Sequence, residues 1–259
     1  NDIEWWKQSE DLYFPNGNTL SSQIHCLNHL FALRADKDAV LAIIQALLPN
    51  ICEILPSPID EKFCYMEKYP YKTPSYISFE FTCENRTLLK ERCNKRGANC
   101  TSIDVFIYAK DCDNKHVLIP IEWKYTEAYE KNEKNKVKES VVEDRYLDKI
   151  DGAISHLRGW QDSYYWDPHY ELARQSLLVE QIIQKQLFEA DYYQHIVVCP
   201  VGNTEMRKDA FSFKDSLSEI GQKQFYVIDP EELLSPLNGN MAYDELFKYL
   251  KERYWGSVK

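Results

Sequence analysis

Residues 103–127 read IDVFIYAKDCDNKHVLIPIEWKYTE. Ile103, Val105 and Ile107 alternate with Asp104, Phe106 and Tyr108, the two-residue period of a β-strand. A second run, Val117 to Tyr125, places Glu122 and Lys124 on one face, because alternate strand residues share a side. Between the two runs Asp111-Cys112-Asp113-Asn114-Lys115 is polar and turn-forming. A hairpin centred on Asp113 sets Ile107 against Ile119 and Asp104 against Glu122. Directly opposed residues have Cβ atoms roughly 4.5–5.5 Å apart, and like charges at that range repel. Two carboxylates and a lysine at the end of an apolar hairpin are costly unless a cation or a substrate uses them. Hard divalent metals bind such carboxylates, and a lysine beside them suits a phosphate-bearing substrate.

Upstream, Ser21 to Leu48 reads as a helical region with a break near Asp36, ended by Pro49, Pro56 and Pro58. Tyr76 to Thr82 alternates as a strand, with Ile77, Phe79 and Phe81 on one side and Glu80 on the other. Downstream, the charged stretch Glu127 to Tyr146 reads as an exposed helix or a mobile flap. Tyr170 to Phe188 keeps Leu172, Val179, Ile182, Ile183 and Leu187 at near-helical spacing. His195 to Cys199 is a continuously apolar run ended by Pro200, the pattern of a buried strand, and Phe225 to Ile228 is similar. Asp229 and Pro230 supply a cap and a first helical residue for another helix, and Met241 to Tyr254 reads as the last. The expected architecture is α/β, a mixed central sheet flanked by helices in α-β-β-β-α-β order with C-terminal α/β additions. No repeat or Gly/Ser-rich linker divides the chain, so residues 1–259 are expected to form one domain with its core at about 20–200.

The 44% hydrophobic content suffices for a large core. No run approaches the roughly 18 apolar residues a membrane helix needs, and no membrane partner is expected. The chain starts at Asn1, and no signal-peptide pattern is read there. Eight cysteines without a CxxC pair are expected as reduced thiols in a cytoplasm. A zinc site at Cys83, Cys93, Cys100 and Cys112 fits no ligand spacing. The formal charge of −10 argues against indiscriminate nucleic-acid binding. Local charge differs: residues 84–100 carry five cations against two anions, and residues 131–138 four lysines against one glutamate. These runs are either solvated surface or two basic borders of the acidic hairpin.

Asp104, Glu122 and Lys124, the last two in E-W-K on the second strand, resemble the PD-(D/E)xK nuclease superfamily. More narrowly, S-S-Q at 21–23, I-E-W-K-Y-T-E at 121–127 and Y-E-L-A-R-Q at 170–175 are similar to a bacterial restriction-endonuclease-like subfamily. The proline that usually precedes the aspartate is absent, since Ser102-Ile103 stands there. The resemblance covers about residues 20–200. It implies a nuclease that cleaves DNA to 5′-phosphate and 3′-hydroxyl ends, with Mg²⁺ or Mn²⁺ held by Asp104, Glu122 and the carbonyl of Trp123. Lys124 would position the attacking water or balance charge on the transition state. Glu80 is a further candidate contact at the site, as ambiguous as Glu127. Gln175 is favoured as the helical glutamine that some relatives place near the site. Gln161 and Tyr165 match the related Q-x-x-x-Y spacing but precede the helix, and Gln23 is a weaker candidate.

Arg86, Lys90, Arg92, Lys95 and Arg96 are expected on one side of a DNA groove, and Lys131, Lys134, Lys136 and Lys138 on the other. A homodimer or a partner subunit would supply further contacts. His25 and His29 are one helical turn apart but lack a third ligand, so they are expected as ordinary core or surface histidines. No GxSxG, Walker A loop or GxGxxG occurs. A glycosidase reading fails because Lys124 beside Glu122 opposes the raised pKa of a general acid. The rival to a nuclease is a non-catalytic module that keeps the fold and binds nucleic acid or protein.

Overall fold

The structure, a computed structural model, describes residues 20–57, 74–83, 88–91, 100–150 and 155–256. Helix α1 (Ser22–Leu30) and helix α2 (Lys37–Leu47) meet at the expected break. There Asp36 Oδ1 accepts hydrogen bonds from the amides of Asp38 (3.1 Å) and Ala39 (3.0 Å). A carboxylate satisfies these otherwise orphaned N–H groups and so starts a new helix.

Strand β1 (Ile51–Leu55) follows, where the sequence reading placed no strand. It is a five-residue run among prolines, and it is ordered by antiparallel pairing with Tyr108 to Asp111 far along the chain. That pairing also corrects the expectation of reduced thiols. Ile51 faces Asp111, which brings Cys52 and Cys112 to a Cα separation of 5.1 Å, and a disulfide joins them. Cys64 and Cys93 lie outside the described residues.

Strand β2 (Ser78–Phe81) pairs with the first half of β3 (Ile103–Asp111), on the edge where β1 pairs with the second half. Ile77, Phe79 and Phe81 do not share a face. Glu80 has φ 56°, a left-handed conformation rare for a residue with a Cβ. Phe79 packs on the α1–α2 side, while Phe81 stacks on Phe106 with ring centroids 4.3 Å apart on the opposite side.

Strand β4 (His116–Trp123) completes the hairpin, with Val105 opposite Ile121, Ile107 opposite Ile119 and Lys110 opposite His116. This is the register of a turn centred on Asp113. Asp111 Oδ1 fixes the turn by accepting from the amides of Asp113 (3.0 Å) and Lys115 (2.8 Å).

In the described stretch 124–150, after β4, α-helix is limited to α3 (Glu139–Arg145) and the short α4 (Leu147–Ile150). The preceding lysine-rich segment is docked: the Trp166 indole donates to the Asn132 carbonyl (3.2 Å), and the Val137 amide to the Tyr165 carbonyl (2.9 Å). Helix α5 (His169–Gln184) then crosses to β5 (Tyr192–Tyr193) and β6 (His195–Val198). The chain continues through α6 (Thr204–Ser216), α7 (Glu219–Lys223), β7 (Phe225–Ile228), α8 (Pro230–Leu234) and α9 (Asp244–Leu250). As expected, Asp229 caps α8, accepting from the Glu231 amide at 2.8 Å.

The sheet runs β1-β3-β4-β6-β7, with β2 beside β3 and β5 beside β4. It is mixed, because β1 to β4 pair antiparallel whereas β4, β6 and β7 are parallel. Both faces are covered. Val117, Ile119, Ile121 and Trp123 pack with α1, α2, α8 and α9, and Leu118 and Val197 pack with α5 and α6. Burial on both sides explains why β6 is continuously apolar. Alternation along β4 therefore aims Glu122 and Lys124 at α5. Among the described residues, no helix is long and apolar enough to cross a membrane.

Candidate functional site

The end of the hairpin remote from its turn gathers charge. Across from Glu122, Asp104 Oδ2 accepts from the Trp123 backbone amide at 2.8 Å. Glu122 is 1% exposed, and each of its oxygens is engaged: Oε1 lies 2.5 Å from Lys124 Nζ, and Oε2 accepts from the Gln175 side-chain amide at 2.5 Å. The same amide donates to the Ser102 carbonyl at 2.8 Å, which ties α5 to both strands of the hairpin. Lys124 Nζ also meets Glu171 Oε2 at 2.5 Å. The left-handed turn at Glu80 brings its carboxylate here, where Oε1 accepts from Gln23 (2.7 Å) and Oε2 from Ser102 (3.2 Å). Gln23, Cys26, Leu27, Phe79, Glu80 and Asp104 line a shallow hollow beside the cluster.

Three carboxyl groups, those of Glu122, Glu171 and Asp104, thus act on one ammonium, and a fourth, Glu80, acts on Asp104. Burial, with the Glu80 carboxylate beside it, pushes Asp104 up to about 7. Burial and the carboxylates of Asp104 and Glu171 push Glu122 well above the usual carboxylate range, so Lys124 does not hold it down as the sequence reading expected. Burial works against the charge on Lys124, but Glu122 and Glu171 outweigh it and hold the ammonium protonated well above the ordinary lysine value. Glu171 is lowered because Lys124 overcomes its burial. Raised carboxyl groups of this kind can be neutralised by a proton or by a bound cation. Among the described residues no three His, Cys, Asp or Glu side chains are already gathered for a metal. Magnesium is nonetheless commonly bound through one or two carboxylates and several waters, so the Asp104 and Glu122 oxygens fit a hard divalent ion.

The other candidate residues divide. Glu127 serves the chain just past β4, its Oε2 accepting from the Tyr125 amide at 2.6 Å. Gln161 precedes the short 3-10 turn Asp162–Tyr165, and the Tyr165 ring lies under Lys136, with Nζ 5.3 Å from the centroid. The Trp166 ring is 5.4 Å from the same ammonium. Lys131, Lys134 and Lys138 are exposed. Lys90 is committed to the α3–α4 region, 3.1 Å from Asp148 Oδ2 and donating to the Asp144 carbonyl at 2.9 Å. Arg86, Arg92, Lys95 and Arg96 lie outside the described residues.

His25 and His29 are buried core residues, as expected. The Trp123 indole donates to His25 Nδ1 at 2.7 Å, and the Trp255 indole to His29 Nε2 at 3.1 Å. His29 Nδ1 therefore carries the proton it donates to the His25 carbonyl at 2.7 Å. Burial, aided by the neighbouring His29, holds His25 down to about 2, and burial holds His29 down to about 4. These neutral rings anchor Trp123 from behind while its neighbours Glu122 and Lys124 face α5.

Sequence reading missed Glu171. Its signal was available, since it stands four residues before Gln175 and so shares that residue's face of α5.

A family model described as Restriction Endonuclease associating with ARP matches residues 2–255. No curated protein and no solved structure matches the chain significantly.

Proposed function

The chain belongs to the family of restriction endonucleases associating with ARP, and from that premise we propose a divalent-metal-dependent endonuclease of the PD-(D/E)xK type that hydrolyses DNA phosphodiester bonds. The observation that carries this reading is the position of Glu122, buried opposite Asp104 with Lys124 on one oxygen and Gln175 on the other. A binding module gains nothing from burying that many carboxylates together, because each costs free energy without a cation to offset it.

In this reading Asp104, Glu122 and the Trp123 carbonyl hold Mg²⁺ or Mn²⁺. The bound ion would polarise the scissile phosphate and lower the pKa of a coordinated water. Lys124 stabilises the negative charge that builds on the phosphoryl oxygens, or orients the attacking water, and its charged neighbours keep it protonated for that task. Gln175 fixes the Glu122 carboxylate by leaving it one acceptor direction fewer. Glu80, held by Gln23 and Ser102, adds negative potential beside Asp104.

We assign one nuclease domain to residues 1–259, with the core at about 20–200. The net charge of −10 makes a partner subunit a sensible source of DNA contacts, in line with the association that the family name records. The exposed Lys131, Lys134 and Lys138 would supply this chain's own contacts.

Incubating the purified protein with supercoiled plasmid and Mn²⁺ tests the proposal. Nicked or linear product that disappears on adding chelator is expected. DNA binding without cleavage would instead favour the non-catalytic module.

A further inference from the structure

We propose that Glu171 is a positioning residue for Lys124, so that α5 holds both charged members of the E-W-K run through two side chains one helical turn apart. The inference rests on the nuclease reading for its purpose and on geometry for its content. Lys124 Nζ lies 2.5 Å from a Glu171 oxygen and 2.5 Å from a Glu122 oxygen. Gln175 reaches the second oxygen of Glu122, also at 2.5 Å. Residues four apart lie over one another on a helix, so a rigid element presents the carboxylate and the amide together. Because the Gln175 amide also donates to the Ser102 carbonyl, the helix cannot slide along the hairpin without breaking a contact.

A buried ammonium needs a partner at all times, since a buried charge left unpaired is strongly destabilising. The Lys124 side chain is only 7% exposed. Were Glu122 its one partner, any other cation drawing on Glu122 would leave Lys124 unpaired, and the side chain would swing toward water. Glu171 removes that conflict. It retains Lys124 at the site while Glu122 serves another ion. Its own side chain is 29% exposed and sits in the first turn of α5, where a carboxylate is favoured by the helix dipole. Glu171 thus tolerates its charge without contributing much to the core, as suits a residue that acts on its neighbour.

The test pairs catalysis with a metal-free readout on Glu171→Gln and Glu171→Asp. Supporting residues of this kind typically change activity roughly 10–100-fold. Glu171→Gln should lower the single-turnover cleavage rate by about that factor, with KM for DNA and melting temperature unchanged, and Glu171→Asp should restore part of it. Without metal, acetylation by an N-hydroxysuccinimide ester, mapped by mass spectrometry, should be slow at Lys124 in the wild type. It should be several-fold faster in Glu171→Gln, with Lys37 as an unaffected internal standard. Wild-type cleavage by Glu171→Gln, or unchanged acetylation of Lys124, overturns the proposal while leaving the nuclease reading intact. If the wild type itself fails to cleave, the nuclease reading falls, and the acetylation comparison decides whether Glu171 holds Lys124.

Discussion

In its first two turns α5 meets full charges, with Glu171 on Lys124 and Gln175 on Glu122. Further along the same helix Glu180, fully buried where Glu171 is 29% exposed, accepts from neutral groups: the His156 amide at 2.7 Å and the Tyr193 hydroxyl at 2.9 Å. The consequences are opposite. The lysine keeps Glu171 ionised, whereas burial pushes Glu180 up to about 7 despite its donors. His156, whose amide meets Glu180, and His195 near it are also neutral, with burial holding them down to about 4 and about 3. A carboxyl group among neutral donors can satisfy itself by taking up a proton. In the crowd around Lys124 burial raises Asp104 and Glu122 as well, and Glu171 alone of the three is held down by the lysine.

The largest expected difference between the two regions is catalytic. Lys124→Ala should reduce cleavage roughly 10²–10³-fold, the usual cost of one transition-state electrostatic contact. Metal affinity should stay intact or improve slightly, because a neighbouring positive charge is lost. Glu180→Gln should cleave like the wild type. Equal rates for wild type and Lys124→Ala would make both clusters structural.

Glu180 should instead govern stability against pH. Its folded-state pKa, about 7, lies above the ordinary glutamate value. Such an acid contributes its stability fully below the unfolded pKa and loses it as pH rises through the folded pKa. Unfolding free energy should therefore fall between about pH 4.5 and 7 and level off above, by on the order of 3 kcal/mol for this group. Glu180→Gln removes that component. The parallel contribution of Asp104, also pushed up to about 7, cancels in the difference between the two proteins. Denaturant titrations at pH 5 and pH 8 measure it, and a pH-independent difference would contradict the assignment.

A smaller effect is expected at the surface beyond the charged cluster. Reversing Lys131, Lys134 and Lys138 to glutamate should weaken DNA binding and flatten its dependence on log salt by several units, since each phosphate contact releases about one counterion. Lys136 is spared because it lies against Tyr165 and Trp166. Metal binding and melting temperature should hardly move, as exposed charges add little to folding. An unchanged salt slope would assign DNA contact to other surfaces or to the partner.

The hairpin was legible because its period of two and its polar turn leave one register, and Asp104, Glu122 and Lys124 follow from that register alone. Features set by distant contacts were not. The run Ile51 to Leu55 becomes a strand only against β3, and the same pairing brings Cys52 to Cys112. Phe81 changes face because Glu80 adopts a left-handed conformation, which alternation cannot foretell. Glu171 escaped notice because a helix pattern shows which residues share a face, not which charged strand that face will meet.

Calorimetric titration of Mn²⁺ into wild type, Asp104→Asn and Glu180→Gln tests the central claim most directly. The account predicts binding at about millimolar affinity or tighter, as for hard-cation carboxylate sites, unchanged in Glu180→Gln and lost or greatly weakened in Asp104→Asn. Equal binding by wild type and Asp104→Asn would contradict it, because the opposed carboxylates would then hold no metal.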